Sequence, residues 1–323
     1  MVDVVGIGNA IINVLSHVDD AFIAEQGMAL GSMALIDEET AERLYRLSGP
    51  TVRVSGGSAG NTIAGIASLG GSAAYIGKVR DDELGDAYRH DMVSAGIRFD
   101  TPAATDGPAT ARCLIFVSGD GQRTMNTYLG ACVNLTPEDV DADLIASAKV
   151  TYLEGYLFDP PAAKEAFRKA AKIARDAGQQ VALSLSDLFC VARYRQEFLE
   201  LVEHHVDILF GNDAEICALF ETDDVDAAIE KLKPLVKTAA ITLGAKGSRI
   251  LSGGETVDVA AAPVARVVDT TGAGDLYAAG FLYGLVNGKS PRECGEIAAL
   301  AAAEIISHFG ARPETPLSAY VRG

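Results

Sequence analysis

Short β-branched runs alternate with longer Ala- and Leu-rich segments along most of this chain, and that alternation constrains the fold more than any other feature. It is the pattern of strands buried on both faces by crossover helices, and it implies an α/β fold with a doubly wound, mostly parallel sheet. The run over 206–210 leads into a helical stretch over 213–220. The run over 150–153 leads into another over 161–177, with Gly178 placed as the residue that ends it.

Two stretches interrupt the alternation. Residues 112–117, then Gly119-Asp120-Gly121, then 123–128 read as a hairpin with a Gly-containing turn. Residues 16–35 read as irregular, punctuated by Gly27 and Gly31. Extended segments inserted in an α/β core often cover a ligand site. With no internal repeat, charge block or low-complexity linker, the expectation is a single core over 1–323 with a small β lid from about 15–36 and 108–130.

The 323 residues are 49% hydrophobic and 7% aromatic, ample for a large core. Twenty-seven basic against 44 acidic side chains give a formal net charge of −17, which argues against a broad nucleic-acid footprint, so bound phosphate must be held locally. Five scattered cysteines without CxxC or zinc-ligand spacing read as reduced thiols of a cytoplasmic protein. The first residues read as a strand entering a turn, with neither a basic leader nor an apolar run long enough for a membrane.

Chemistry concentrates in Asp269-Thr270-Thr271-Gly272-Ala273-Gly274-Asp275, read as a strand passing through a Gly-rich turn into a helix. Amides of Gly272, Ala273 and Gly274 at a helix start can cradle an anion. Asp275 at its mouth can take a proton from an attacking hydroxyl, or it can merely cap the helix. Gly56-Gly57-Ser58-Ala59-Gly60 also fits G-x-S-x-G, which admits a serine hydrolase using Ser58, with His308 as the one candidate base in the usual order. No Walker A, complete G-x-G-x-x-G or H-E-x-x-H pattern is present.

The run from Asp269 to Asp275 resembles the C-terminal signature of the ribokinase-like (PfkB) carbohydrate and nucleoside kinases. Further resemblance lies in Gly6-x-Gly8-Asn9, Gly56-Gly57-Ser58-x-x-Asn61, Asn212-x-x-Glu215, Thr242-x-Gly244-x-x-Gly247 and Gly310-Ala311-x-Pro313, in the family's order. It implies a Rossmann-like ribokinase fold and transfer of the γ-phosphoryl of Mg-ATP to a sugar hydroxyl. Asp275 would be the base, Gly272, Ala273 and Gly274 the anion hole, and Arg123 the lid arginine that reaches over the site. Asn212, Glu215, Thr242, Gly244 and Gly247 would serve ATP, with Glu215 meeting Mg2+ through water. Asn212 and Glu215 also read as a plain capping box, and Thr242 to Gly247 as a plain hairpin turn.

Asn9, Asn13, Gly56, Gly57, Ser58 and Asn61 would hold the acceptor, and Asp269 a monovalent cation such as K+. The family usually has aspartate where this chain has Asn13, which weakens or alters sugar binding; nearby His17 is a candidate extra contact. The Gly8-Asn9 start, residues 55–59 and the hairpin resemble adenosine kinases more than ribokinase or fructokinase. The acceptor expected is therefore adenosine, with ribose, fructose or 2-keto-3-deoxygluconate as alternatives, distinguished by whether Phe22, Met33 or Leu35 closes over a purine. The expected assembly is a monomer or a homodimer, the exposed lid edge being able to pair.

Overall fold

In the main sheet, neighbouring side chains on each strand enter different cores. Val4, Val150, Tyr152, Ala182, Ile208 and Ala240 face one core, while Val5, Leu153, Val181, Leu183, Leu209 and Ile241 face the other. This two-sided burial is why the strands read as unbroken apolar runs. The structure, a computed structural model, describes residues 2–119, 121–158 and 160–321. Its larger sheet contains β1 (Val4–Ile7), β5 (Ala73–Ile76), β8 (Val150–Glu154), β9 (Gln180–Ser184), β10 (Ile208–Asn212), β11 (Thr238–Thr242), β12 (Ser248–Ser252) and β13 (Glu255–Val259). The spatial order is β13-β12-β11-β10-β9-β8-β1-β5, with every pairing parallel except the two that β12 makes with β11 and β13.

The helices Ser58–Leu69, Ala273–Val286 and Pro291–Ile305 bring their apolar faces to one core. Pro161–Asp176, Leu188–His204 and Asp213–Phe220 bring theirs to the other. Gly178, with φ +74°, follows the last residues of the 161–176 helix as expected. The first connection within the sheet runs from β1 outward to β5, whereas β8 begins a march in the opposite direction. The order therefore reverses between β1 and β8, and a crevice opens at their carboxyl ends.

A second sheet of five strands, in the order β3-β7-β6-β2-β4, covers that crevice. Its members are β2 (Ile11–His17), β3 (Met33–Leu35), β4 (Val52–Ser55), β6 (Ala111–Val117) and β7 (Arg123–Tyr128), with β6 and β7 forming the expected hairpin. Asp120, in its turn, lies outside the described residues. The sheet reaches beyond the two segments read from sequence: β2 starts at Ile11 and β4 is a further strand. Residues 16–35, expected to be irregular, contain the end of β2, the Asp20–Glu25 helix and β3. The chain crosses between the two sheets at Gly8-Asn9-Ala10 and again at Gly56-Gly57, so both crossings meet at the crevice.

The segment before the Gly-rich turn is not a strand. Residues 260–270 are irregular and pair with neither edge strand of the sheet, β13 or β5. Val268 N–H instead donates to Ile306 O at 2.8 Å.

Candidate active site

Packing of the Ser58–Leu69 helix against the Ala273–Val286 helix brings Asp275 to the polar start of the former. Ser58 Oγ donates to Asp275 Oδ1 at 2.6 Å, and Asn61 Nδ2 donates to Oδ2 at 2.8 Å. Burial pushes the Asp275 carboxyl up to about 6, and the bonds from Ser58 and Asn61 and the charge of Arg312 limit the rise. A carboxylate held in this way stays ionised near neutral pH and can accept a proton from a hydroxyl.

The Gly-rich turn ahead of it depends on Gly272, whose φ of +80° begins the helix; a Cβ there would lie 2.9 Å from the Ala311 Cβ. Ala273 N–H closes the turn onto Thr270 O at 3.2 Å. This departs from the cradle of three amides read from sequence: Gly272 and Gly274 keep N–H groups without a partner among the described residues, and Ala273 does not.

The carboxyl ends of the parallel strands complete the site. A cavity of about 920 Å³ is lined by Asn9 after β1, Glu154 on β8, Ser184 on β9, Asn212 on β10, Thr242 on β11 and the 270–275 turn, among others. Its roof comes from the lid, through Ile11, Asn13, Met33, Leu35, Met125, Thr127 and Leu129. At the sheet's reversal, Glu154 accepts from Asn9 N, Asn9 Nδ2 and Ala59 N, at 3.2, 2.8 and 2.7 Å. Burial pushes Glu154 up to about 7 against those bonds, with the Asp275 charge adding to the rise. Asn9 Oδ1 and Asn61 Oδ1 are buried acceptors without a partner, and Asn13 makes no side-chain bond among the described residues. Orphan acceptors of this kind suit a ligand rich in hydroxyl donors.

Gly57 and Ser58 line the cavity, whereas Gly56 lies behind it, its N–H bonded to Ile11 O. Gly57 has φ +83°, and an added Cβ would lie 2.0 Å from Asn9 O, so only glycine fits where the two crossings touch. Thr242 reaches the cavity, but Gly244 and Gly247 stay in the turn after β11, outside its lining. His17 is exposed at the end of β2, away from the cavity. Phe22 packs on Phe116 at 5.2 Å between ring centroids and does not reach the site, so of the three candidate purine contacts only Met33 and Leu35 do. Ser58 has Asp275 as its partner, and His308 sits against Glu304; the hydrolase constellation is not assembled.

Arg123 departs most from the reading. It does not line the cavity; it pairs with Asp269 at 2.7 Å, both side chains being buried. Asp269 Oδ1 also accepts from Thr271 N and Oγ1, and Oδ2 from Gly310 N. A carboxylate that accepts three hydrogen bonds and lies against a guanidinium does not fit a monovalent cation, which needs free oxygen lone pairs.

For Mg2+ the residues do fit. Glu215 is buried and pushed up to about 7 by that burial, with Asp187 and Asp213 adding to it. Both its oxygens bond Asn212 in a full capping box, so the capping reading holds. Among the described residues no cluster of three or more His, Cys, Asp or Glu could hold a metal alone. That suits an ion carried largely by phosphate and water, with Glu215 and Asp187 supplying the negative surroundings.

Sequence reasoning missed Glu154, Tyr156 and the wall formed by Ser186, Asp187, Phe189, Cys190 and Arg193. The signal for Glu154 was a lone charge ending an apolar strand. For the wall it was Asp187 as a candidate N-cap of the Leu188–His204 helix; the strained φ of +72° at Ser186 before it is visible only in the structure.

A family model described as pfkB family carbohydrate kinase matches residues 28–317. The chain belongs to this family. It is thus a sugar or nucleoside kinase, a phosphotransferase with an alcohol acceptor, and the family implies ATP and Mg2+. A solved adenosine kinase from Sinorhizobium meliloti is 53% identical, with a TM-score of 0.93 over 99% of this chain and 98% of that one. A probable sugar kinase from Rhizobium etli is 49% identical, also with a TM-score of 0.93 over 99% and 98%. An uncharacterized sugar kinase from Archaeoglobus fulgidus is 31% identical over 79% of this chain and 99% of its own. The five cysteines are free, and among the described residues no helix is long and apolar enough to cross a membrane.

Proposed function

We propose that this kinase phosphorylates the ribose of adenosine, yielding AMP and ADP. The observation that carries the reading is the apolar roof directly above the polar clamp. Met33 and Leu35 are 47% and 51% exposed, and with Ile11, Met125 and Leu129 they face the same cavity as Asp275. A free sugar leaves such a surface wet, whereas a purine covers it, at about 1.5–3 kcal/mol per buried large side chain. The similarity to the Sinorhizobium meliloti adenosine kinase supports the same acceptor.

Asn9, Asn13 and Asn61 would receive the ribose hydroxyls through their amides. Asp275 takes the proton of the attacking hydroxyl, its oxygen bonds to the γ-phosphorus, and the bond to the ADP oxygen breaks. The free amides of Gly272 and Gly274 face the negative charge of the transferring group, a role that depends on dipoles fixed before reaction. Mg2+, when bound with ATP, neutralises phosphate charge. The lid excludes water, which otherwise competes as acceptor.

ADP production is to be measured across adenosine, other nucleosides, ribose, fructose and 2-keto-3-deoxygluconate, with Asp275→Asn as control. Adenosine-dependent turnover, reduced in the control by about two to four powers of ten, is expected. Turnover with a free sugar and none with adenosine would replace the acceptor while keeping the family's reaction.

A further inference from the structure

The Arg123–Asp269 pair joins three separate parts of the chain. Arg123 belongs to lid strand β7, Asp269 precedes the Gly-rich turn, and Gly310, which donates to the same carboxylate at 3.1 Å, follows the Pro291–Ile305 helix. Side-chain exposures of 8% and 7% remove the pair from bulk water, and Phe309 lies under the guanidinium, its ring centroid 5.3 Å from Cζ. An aromatic face beneath a desolvated cation replaces part of its lost hydration. The two remaining donors come from Thr271, at 3.1 Å from the backbone and 2.8 Å from the hydroxyl.

We infer that the Arg123 guanidinium is a built-in cation at Asp269, filling the place expected for K+, so that the enzyme neither binds nor needs a monovalent ion there. The chemistry differs from that of a bound ion in two ways. Three N–H and O–H donors bond the carboxylate and the guanidinium lies against it, and a metal ion would meet their positive ends instead of free oxygen lone pairs. The charge is also tethered to β7, so neutralising Asp269 requires the lid to sit over the turn. A free ion would impose no such link between lid position and the shape of the 270–275 turn.

Thermal unfolding in KCl against tetramethylammonium chloride at equal ionic strength reads ion binding without reference to any acceptor. A ligand that binds only the folded state raises Tm by mass action. Wild type is expected to show the same Tm in both salts. Arg123→Met, which keeps the length and apolar packing of the stem, vacates the carboxylate and is expected to gain a K+-specific rise in Tm. A K+-specific rise in wild type that Asp269→Asn abolishes would overturn the inference, as would an Arg123→Met variant that folds and stays indifferent to K+. Should that variant not fold, the wild-type comparison still decides, joined by turnover: equal rates in the two salts support the built-in cation, and severalfold saturable stimulation by K+ refutes it.

Discussion

Replacing Ser58 with alanine separates the charge state of Asp275 from the shape of the site. Burial pushes the Asp275 carboxyl up to about 6, opposed by donors from Ser58 and Asn61. At pH 7 about nine-tenths of it is then ionised, falling to about one-tenth near pH 5. Removing the 2.6 Å bond from Ser58 deletes a donor to a charged oxygen. Such a bond is worth about 1.5–3 kcal/mol, and at 1.36 kcal/mol per unit its loss moves the acid limb of activity up by about one to two pH units. Turnover in Ser58→Ala should therefore drop about two- to tenfold at pH 7 and recover at about pH 9. The assay is kcat/KM for the acceptor against pH, alongside Glu154→Gln, because Glu154 titrates at about 7 in the same cavity. A limb that stays put in Ser58→Ala, or an equal loss at every pH, refutes the assignment of the limb to Asp275. A limb that vanishes in Glu154→Gln transfers it to Glu154.

Gly57→Ala combines a positive φ of +83° with a Cβ 2.0 Å from Asn9 O and should cost about 2–5 kcal/mol in urea unfolding, a loss under about 1 kcal/mol arguing that the crossing is soft. Glu154 is raised to about 7 when folded, above an ordinary value of about 4.3, so its contribution to stability is full below the lower value and is lost as pH rises toward 7. Unfolding measured between those limits should show this decline, and Glu154→Gln should flatten it. Asn13→Asp places a charged acceptor in the roof and should lower the acceptor KM by up to about tenfold; an unchanged KM removes residue 13 from the sugar contacts.

The fold was legible wherever local pattern and tertiary environment agree. Strands such as β8 to β11 carry apolar side chains to both faces, and no partner need be known to recognise them. The valines at 264, 267 and 268 gave the same local signal, yet their segment joins no strand, and Val268 N–H bonds Ile306 O instead. That is a fact about tertiary partners, not about propensity. Asp275 was legible because the turn and helix start that present it are contiguous in sequence. Glu154 was not, since its partners Asn9 and Ala59 lie 145 and 95 residues away. Arg123 marks the same limit: a charged hairpin residue can point to solvent, ligand or core, and only the fold brings Asp269 to meet it.

A protein of net charge −17 whose cavity presents Glu154, Asp187, Glu215 and Asp275 is a strange host for a polyphosphate unless its field is read locally. Among the described lining residues Arg193 is the one Lys or Arg. Four helices, Ser58–Leu69, Leu188–His204, Asp213–Phe220 and Ala273–Val286, begin at that cavity with Gly57, Asp187, Asn212 and Gly272 on its wall. Their amino ends supply partial positive charge that falls away within a turn, strong at contact and negligible at a distance. Burial meanwhile lifts Glu154 and Glu215 toward neutrality, which softens the repulsion met by incoming phosphate. Arg123, the lid cation expected from sequence to reach the phosphate, is occupied with Asp269 outside the cavity. The attraction is thus assigned to short-range dipoles and to the divalent ion that travels with ATP. An acidic surface around such a site does not oppose catalysis; it favours departure of ADP once the ion and the closed lid no longer hold it.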